Sequence, residues 1–260
     1  MQIVLVFIVC LAASTLGGIC GIGGGVVIKP LLDAMGLMSV SAVSFLSGLT
    51  VLAMAVVSIW KNRHGRELEM SRSIPLGIGA AIGGVAGKQL FEMVKAAAGA
   101  DNAVGVVQAA LLALMVAGTF VYTLFKSRIV TKEMRHPLPC VLVGLALGMC
   151  SAFLGIGGGP MNLVVLSYCF SMDSKKAAMN SILIILLSQI ANFLFSLLGG
   201  SIPAVQWPML IVMVLAGITG GSLSASLRKK IDLKQTDRLF LGMLVIIFLI
   251  CIYNMFRLGA

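Results

Sequence analysis

The sequence Gly21-Ile22-Gly23-Gly24-Gly25 recurs unchanged as Gly155-Ile156-Gly157-Gly158-Gly159, 134 positions later in a chain of 260 residues. Three consecutive glycines inside an apolar stretch break a helix, because glycine lowers helix stability and leaves the backbone open. In a bilayer, such a break must face protein or a water-filled cavity. The two copies therefore predict an internal repeat in which each half opens with a broken helix.

The composition predicts a membrane protein, since 59% of the residues are hydrophobic and only 11% are charged. Six stretches contain no Asp, Glu, Lys or Arg, and roughly 20 apolar residues suffice to span the hydrocarbon. These stretches are residues 1–28, 34–60, 102–125, 136–172, 177–227 and 239–256. Because barrel strands would alternate polar and apolar residues, we predict an all-α integral membrane protein.

The same parts follow each glycine motif: a short apolar run, a polar junction, a long apolar span and a stripe of small residues. The stripes are Gly79, Gly83 and Gly87 in one half and Ala216, Gly220 and Ser224 in the other. Small residues four apart let helices approach closely in lipid, within one chain or between subunits, so a homo-oligomer is one possibility. We predict a first half over 1–127, a cytoplasmic linker over 128–136 and a second half over 137–260. Each half is a glycine-broken helical hairpin followed by three transmembrane helices.

The positive charges predict the topology. Fifteen of the 19 Lys and Arg residues lie in four short segments, 61–72, 126–135, 172–176 and 228–238. The positive-inside rule places all four in the cytoplasm, which requires the segment 137–171 to enter and leave on the same side. The same hairpin over 1–38 makes the two halves run in opposite directions, as in many secondary transporters. If the broken segments cross fully instead, one basic loop falls outside.

A new helix can start after each break, at Val26 and at Pro160, and its N-terminus carries partial positive charge. Two such ends, related by the repeat, would favour an anion; the alternative is that the glycines only permit tight helix crossing. Amide and hydroxyl groups nearby could also hold an oxyanion. The candidate substrate-binding residues are Gly23, Gly24, Gly25, Lys29, Ser44, Ser47, Gly157, Gly158, Gly159, Asn162, Asn180, Ser181, Gln189 and Asn192.

Lys29 could attract the anion or extend to the membrane interface, and Asp33 could pair with it. No Asp or Glu lies deep in a predicted span, and the sequence contains no nucleotide-binding P-loop, so we predict neither an enzyme nor an ATPase. No cofactor, metal site or nucleic-acid partner is predicted. The six cysteines are interpreted as packing residues, with Cys20 and Cys150 near enough to the glycine motifs to contact a substrate.

The two Gly-x-Gly-Gly-Gly motifs, each opening a half of about 130 residues with four apolar elements, resemble the TauE/SafE family of sulfite-exporter-like permeases. The resemblance implies a permease for sulfite, sulfoacetate or related organosulfonates in the inner membrane of a prokaryote. Pro30 matches the family pattern, whereas the second half has Pro160 directly after the motif and Val at position 164. We expect alternating access, with an anion channel of the same architecture as the alternative.

Overall fold

The computed structural model describes residues 2–63, 65, 67–98, 101–134, 136–200 and 202–259; Arg66 and Arg135, two of the loop cations counted above, lie outside them. Within these ranges the chain forms ten α-helices, one short 3-10 helix over Lys126–Arg128, and no strand. The helices are α1 (Gln2–Cys20), α2 (Gly25–Met35), α3 (Val40–Asn62), α4 (Met70–Ala98), α5 (Asp101–Phe125), α6 (Pro137–Phe153), α7 (Pro160–Phe170), α8 (Ser174–Leu198), α9 (Trp207–Arg228) and α10 (Leu233–Gly259).

Seven of the described helices are long and apolar enough to cross a bilayer, namely α1, α3, α4, α5, α8, α9 and α10. The second helices of the hairpins, α2 and α7, have 11 residues each. At 1.5 Å per residue such a helix covers only about half of the hydrocarbon thickness. The predicted all-α integral membrane class is confirmed, whereas the division into two inverted halves stays a prediction.

Local sequence signals set the helix starts. Ser39 precedes α3 and accepts a hydrogen bond from the Ala42 amide at 3.3 Å, and the Asp173 carboxylate accepts from two first-turn amides of α8, both at 3.0 Å. Pro160 occupies the first turn of α7, where its missing N–H leaves no hydrogen bond unmade, as predicted. Helix α2 begins at Gly25, one residue before the predicted start.

The small-residue stripes join the two halves of the chain. A Cβ atom on Gly79, Gly83 or Gly87 of α4 would clash with a carbonyl oxygen of α6. In α9, a Cβ atom on Gly220 would clash with the side chain of Ser14 of α1. The first helix of each half therefore packs on the fourth helix of the other half: α1 on α9, and α6 on α4. The stripes thus form contacts within the chain.

The corresponding long helices of the two halves, α3 and α8, run antiparallel. Gly48 of α3 lies beside Gln189 of α8, while three residues further along α3, Val51 meets Ile185 around Gly23. Opposite directions for corresponding helices are what an inverted repeat requires. How the two halves relate to the two sides of a membrane stays a prediction.

Candidate functional site

The two glycine motifs meet in the interior. A Cβ atom on Gly25 would clash with the carbonyl oxygen of Ile156, so the first motif lies directly against the second. Val51 and Ile185 pack against both motifs and are themselves 134 positions apart. Positive φ angles, which favour glycine, occur at equivalent places in the two motifs. The equivalent pairs are Gly21 with Gly155 and Gly23 with Gly157; Gly158 also has a positive φ, whereas its counterpart Gly24 has a φ of −64°.

A cavity of about 300 Å³ lies beside the second motif. It is enclosed by the start of α3, the ends of α4 and α8, the loop between α6 and α7, and residues 202–203. Four of the predicted site residues line it: Ser44, Gly157, Gln189 and Asn192. A concave volume with a few convergent polar groups is the usual form of a small-molecule site.

The sequence interpretation missed the charged wall of this cavity. Lys88, Glu92 and Lys95 line it from one face of α4. The Lys88 ammonium donates to the Ser196 hydroxyl, and the Lys95 ammonium donates to the Ser41 hydroxyl at 2.7 Å. Spacings of three, four and seven residues put side chains on one helix face. That periodicity, which continues the helix beyond its uncharged run, was the available signal in the sequence.

Several polar groups around the cavity lack partners. The Ser44 Oγ, Asn192 Oδ1 and Gln108 Oε1 atoms are buried without a hydrogen-bond partner among the described residues. The backbone amide of Gly157, which also lines the cavity, donates to no backbone carbonyl there. An unsatisfied buried polar atom costs about 1–3 kcal/mol, unless a ligand or water supplies the partner. The cavity wall thus offers positive charge, a hydroxyl, side-chain amides and a backbone N–H group to one volume.

Lys29 does not line the cavity, although its side chain passes close to Gly155. It is only 3% exposed, so its side chain does not extend to solvent, and its ammonium forms an ion pair with the Asp33 carboxylate at 2.6 Å. Of the alternatives left open by the sequence, the structure shows the pairing with Asp33. The Lys29 charge is therefore partly neutralised in this conformation.

Asn180 joins two elements of the protein and does not line the cavity. Its side-chain oxygen accepts from the Glu69 amide at 2.8 Å and from the Ser73 hydroxyl at 2.6 Å. Its side-chain nitrogen donates to the carbonyls of Glu67 and Lys176 at 2.9 and 2.8 Å. These bonds hold the α3–α4 connection against α8.

The remaining predicted residues surround the motifs outside the cavity lining. The Ser47 hydroxyl donates to the Gly155 carbonyl at 3.0 Å and so fixes the second motif. Ser181, its counterpart 134 positions later, is buried without a side-chain partner among the described residues. Asn162 is buried in the first turn of α7. The buried residues Gly23, Gly24, Gly25, Gly158 and Gly159 also lie outside the lining.

At the opposite end of the molecule the interior is nearly closed. A cleft of about 20 Å³, room for about one water molecule, is lined by Cys20, and an open depression of about 660 Å³ lies at the surface over Glu67 and the starts of α8 and α10. An ion pair of 2.6 Å between Lys126 and Asp237 crosses this cleft, and the Ser174 hydroxyl donates to the same carboxylate at 2.6 Å. Cys150 is exposed and does not line the open cavity.

Comparisons with known proteins agree with the resemblance found in the sequence. The family model described as "Sulfite exporter TauE/SafE" matches residues 6–250. The "Probable membrane transporter protein MamO" of Magnetospirillum gryphiswaldense is 26% identical over 261 aligned positions, which cover 86% of this chain and 40% of the relative. The chain thus spans less than half the length of that relative, and no solved structure matches it. The match over nearly the whole chain shows that this multi-pass membrane protein belongs to the sulfite exporter TauE/SafE family.

Proposed function

We propose that the chain carries a small anion across the membrane by alternating access, and that the anion is sulfite or an organosulfonate. The observation that carries this proposal is the cavity beside the second glycine motif, where Lys88 and Lys95 face unpartnered polar groups. Family membership supports a sulfur-containing substrate. The plasma membrane of a prokaryote is the proposed location.

The chemistry of the cavity suits an oxyanion. Two ammonium groups against one carboxylate, Glu92, leave the wall with a positive excess that attracts anions. At the inner end, the Ser44 hydroxyl and the Gly157 amide can donate hydrogen bonds to oxygen atoms. The side-chain amide of Asn192 can present either its nitrogen or its oxygen. These neutral donors would hold the anion without binding it too tightly for release.

The size of the cavity also bears on the substrate. About 300 Å³ exceeds the volume of a bare oxyanion and leaves room for water or an organic substituent. Phe45, Phe91 and Phe193 supply apolar surface beside the lysines. An organosulfonate could place its charged group near the cations and its carbon atoms against these rings.

Alternating access requires a site that opens to one side at a time. The cavity lies at the end opposite the basic loops, which the positive-inside rule would make the outer face. The other end is closed across the Lys126–Asp237 pair. Such a conformation favours a transporter over the alternative, an open anion channel.

The testing experiment compares Lys88→Gln with Lys61→Gln. Lys61 also donates to a serine of a neighbouring helix, Ser222, but lies away from the cavity. Saturable binding and proteoliposome uptake of sulfite, sulfoacetate, sulfate, chloride and acetate are measured for each protein. We expect wild-type uptake of a sulfur oxyanion, about tenfold weaker affinity in the Lys88 variant because a charge-assisted contact is lost, and no change in the control.

Three results would contradict the proposal. Folded wild-type protein that binds none of these anions would exclude the anion site. A steady, non-saturating anion conductance would favour the channel alternative. Equal affinities in the Lys88 and wild-type proteins would move the site away from this cavity.

A further inference from the structure

Arg228 is a buried cation at the closed end. Arg228 is the last residue of α9, and it is only 3% exposed. The next two residues, Lys229 and Lys230, are exposed. The Arg228 guanidinium donates to the Gly18 carbonyl of α1 and also contacts the Met179 sulfur. It forms no ion pair with any carboxylate in the described residues, and its Nε atom has no acceptor there.

This arrangement is costly for stability alone. A buried charge loses several kcal/mol of hydration, and neutral partners recover only part of that loss. A well-packed apolar side chain at position 228 would avoid the cost. The Arg228 side chain interacts electrostatically with Glu67, but it forms no ion pair there and keeps an unused donor, so it is well suited to bind an anion when one reaches it.

A cation also lies near the end of the corresponding helix of the first half, where it lines the open cavity; by the offset of the small-residue stripes its exact equivalent is Ala225, about one helical turn before Arg228. In α4, Lys88 directly follows Gly87, the last residue of the small-residue stripe; in α9, Arg228 comes one helical turn after Ser224. Each cation therefore lies near the end of the helix that packs on the first helix of the other half. One of the two lines a cavity of about 300 Å³, while the other is enclosed.

We infer that Arg228 is the anion-binding cation of the opposite-facing conformation and that its bond to the Gly18 carbonyl holds the closed end shut. The inference rests on the proposed function, because it takes the anion and the change of conformation from it. Gly18 lies three residues before the first glycine motif, so movement of α1 away from α9 breaks this bond and exposes the guanidinium. Its planar set of donors can then hold two oxygen atoms of one anion.

The test uses Cys20, which lies two residues after Gly18 and lines the closed cleft. The other cysteines are replaced by alanine, namely Cys10, Cys140, Cys150, Cys169 and Cys251. Wild type, Arg228→Gln, Arg228→Lys and the exposed control Lys229→Gln are compared in that background. Two rates are measured in proteoliposomes: labelling of Cys20 by a membrane-impermeant maleimide, and uptake of sulfite and sulfoacetate.

We expect Arg228→Gln to label several-fold faster than wild type and to lose at least tenfold in uptake, while anion binding to the open cavity persists. Arg228→Lys keeps the charge but not the planar donor set, so intermediate values are expected. The control should match wild type. Wild-type labelling and uptake in Arg228→Gln would overturn the inference.

The design separates this inference from the proposed function. If the wild-type protein moves no anion, the proposed function fails, and slow labelling of Cys20 in Arg228→Gln would then overturn the role at the closed end as well. If Arg228→Gln does not insert into the membrane, labelling and uptake are compared between Arg228→Lys and wild type. Unchanged uptake and labelling in that variant would overturn the assignment.

Discussion

Gly23 and Gly157 occupy equivalent places in the two motifs and have nearly equal φ angles of 73° and 68°. A Cβ atom on either residue would lie 3.3 Å from a side chain of α8, Ile185 in one case and Gln189 in the other. An added methyl group would therefore be equally crowded at the two positions. They differ in that Gly157 lines the open cavity and Gly23 does not.

This match permits a controlled prediction for Gly157→Ala against Gly23→Ala. Alanine in a left-handed backbone conformation costs about 1–2 kcal/mol, so both variants should lose similar stability. Only Gly157→Ala places a methyl group at the cavity wall and displaces Gln189, so we expect a several-fold loss of sulfite or sulfoacetate affinity in that variant alone. Melting temperatures and binding isotherms in detergent provide the two measurements. Equal losses of affinity would contradict the placement of the site.

Helix α4 shows why the charged wall escaped the sequence interpretation. The helix has 29 residues, Met70–Ala98, whereas the run free of charged residues within it ends at Gly87. Lys88, Glu92 and Lys95 then resemble the start of a polar loop. In the structure the helix continues, and these side chains face a cavity in place of lipid. Charged residues near the end of a membrane helix are tolerated where they reach water or protein.

In helix α8, we predict that Asn180→Ala lowers stability without changing anion affinity. The substitution removes three hydrogen bonds that join α8 to the α3–α4 connection and the start of α4, and a fourth within α8, and it leaves buried partners unpaired. We expect the free energy of unfolding to fall by about 2–3 kcal/mol, with anion affinity unchanged. Ser181→Ala is the matched control, because its buried hydroxyl has no partner in the described residues. Unfolding in denaturant and anion binding are measured for both variants. If Asn180→Ala keeps wild-type stability but binds the anion more weakly, Asn180 belongs to the substrate site.

At the scale of the whole molecule, the sequence predicted the order of elements but not their partners. The glycine motifs and small-residue stripes mark where helices break and where they approach closely. They do not specify which helix approaches, so the packing of α4 on α6 and of α1 on α9 had to come from the structure. An asparagine in an apolar run has the same sequence pattern whether it binds a loop, as Asn180 does, or borders a cavity, as Asn192 does. Position within the fold decides between the two.

The inverted topology is tested by labelling Lys132→Cys and Ala204→Cys, two exposed positions in connections at opposite ends of the helices. Fifteen of the 19 Lys and Arg residues lie in the four segments that the positive-inside rule assigns to the cytoplasm, and Lys132 is in one of them. We therefore expect Ala204→Cys to react with an impermeant maleimide added outside intact cells, and Lys132→Cys to react only after permeabilisation. Reaction of both from one side would refute the inverted arrangement. Exchange of the two sides would make the open cavity face the cytoplasm, and the described conformation would then be the inward-open one.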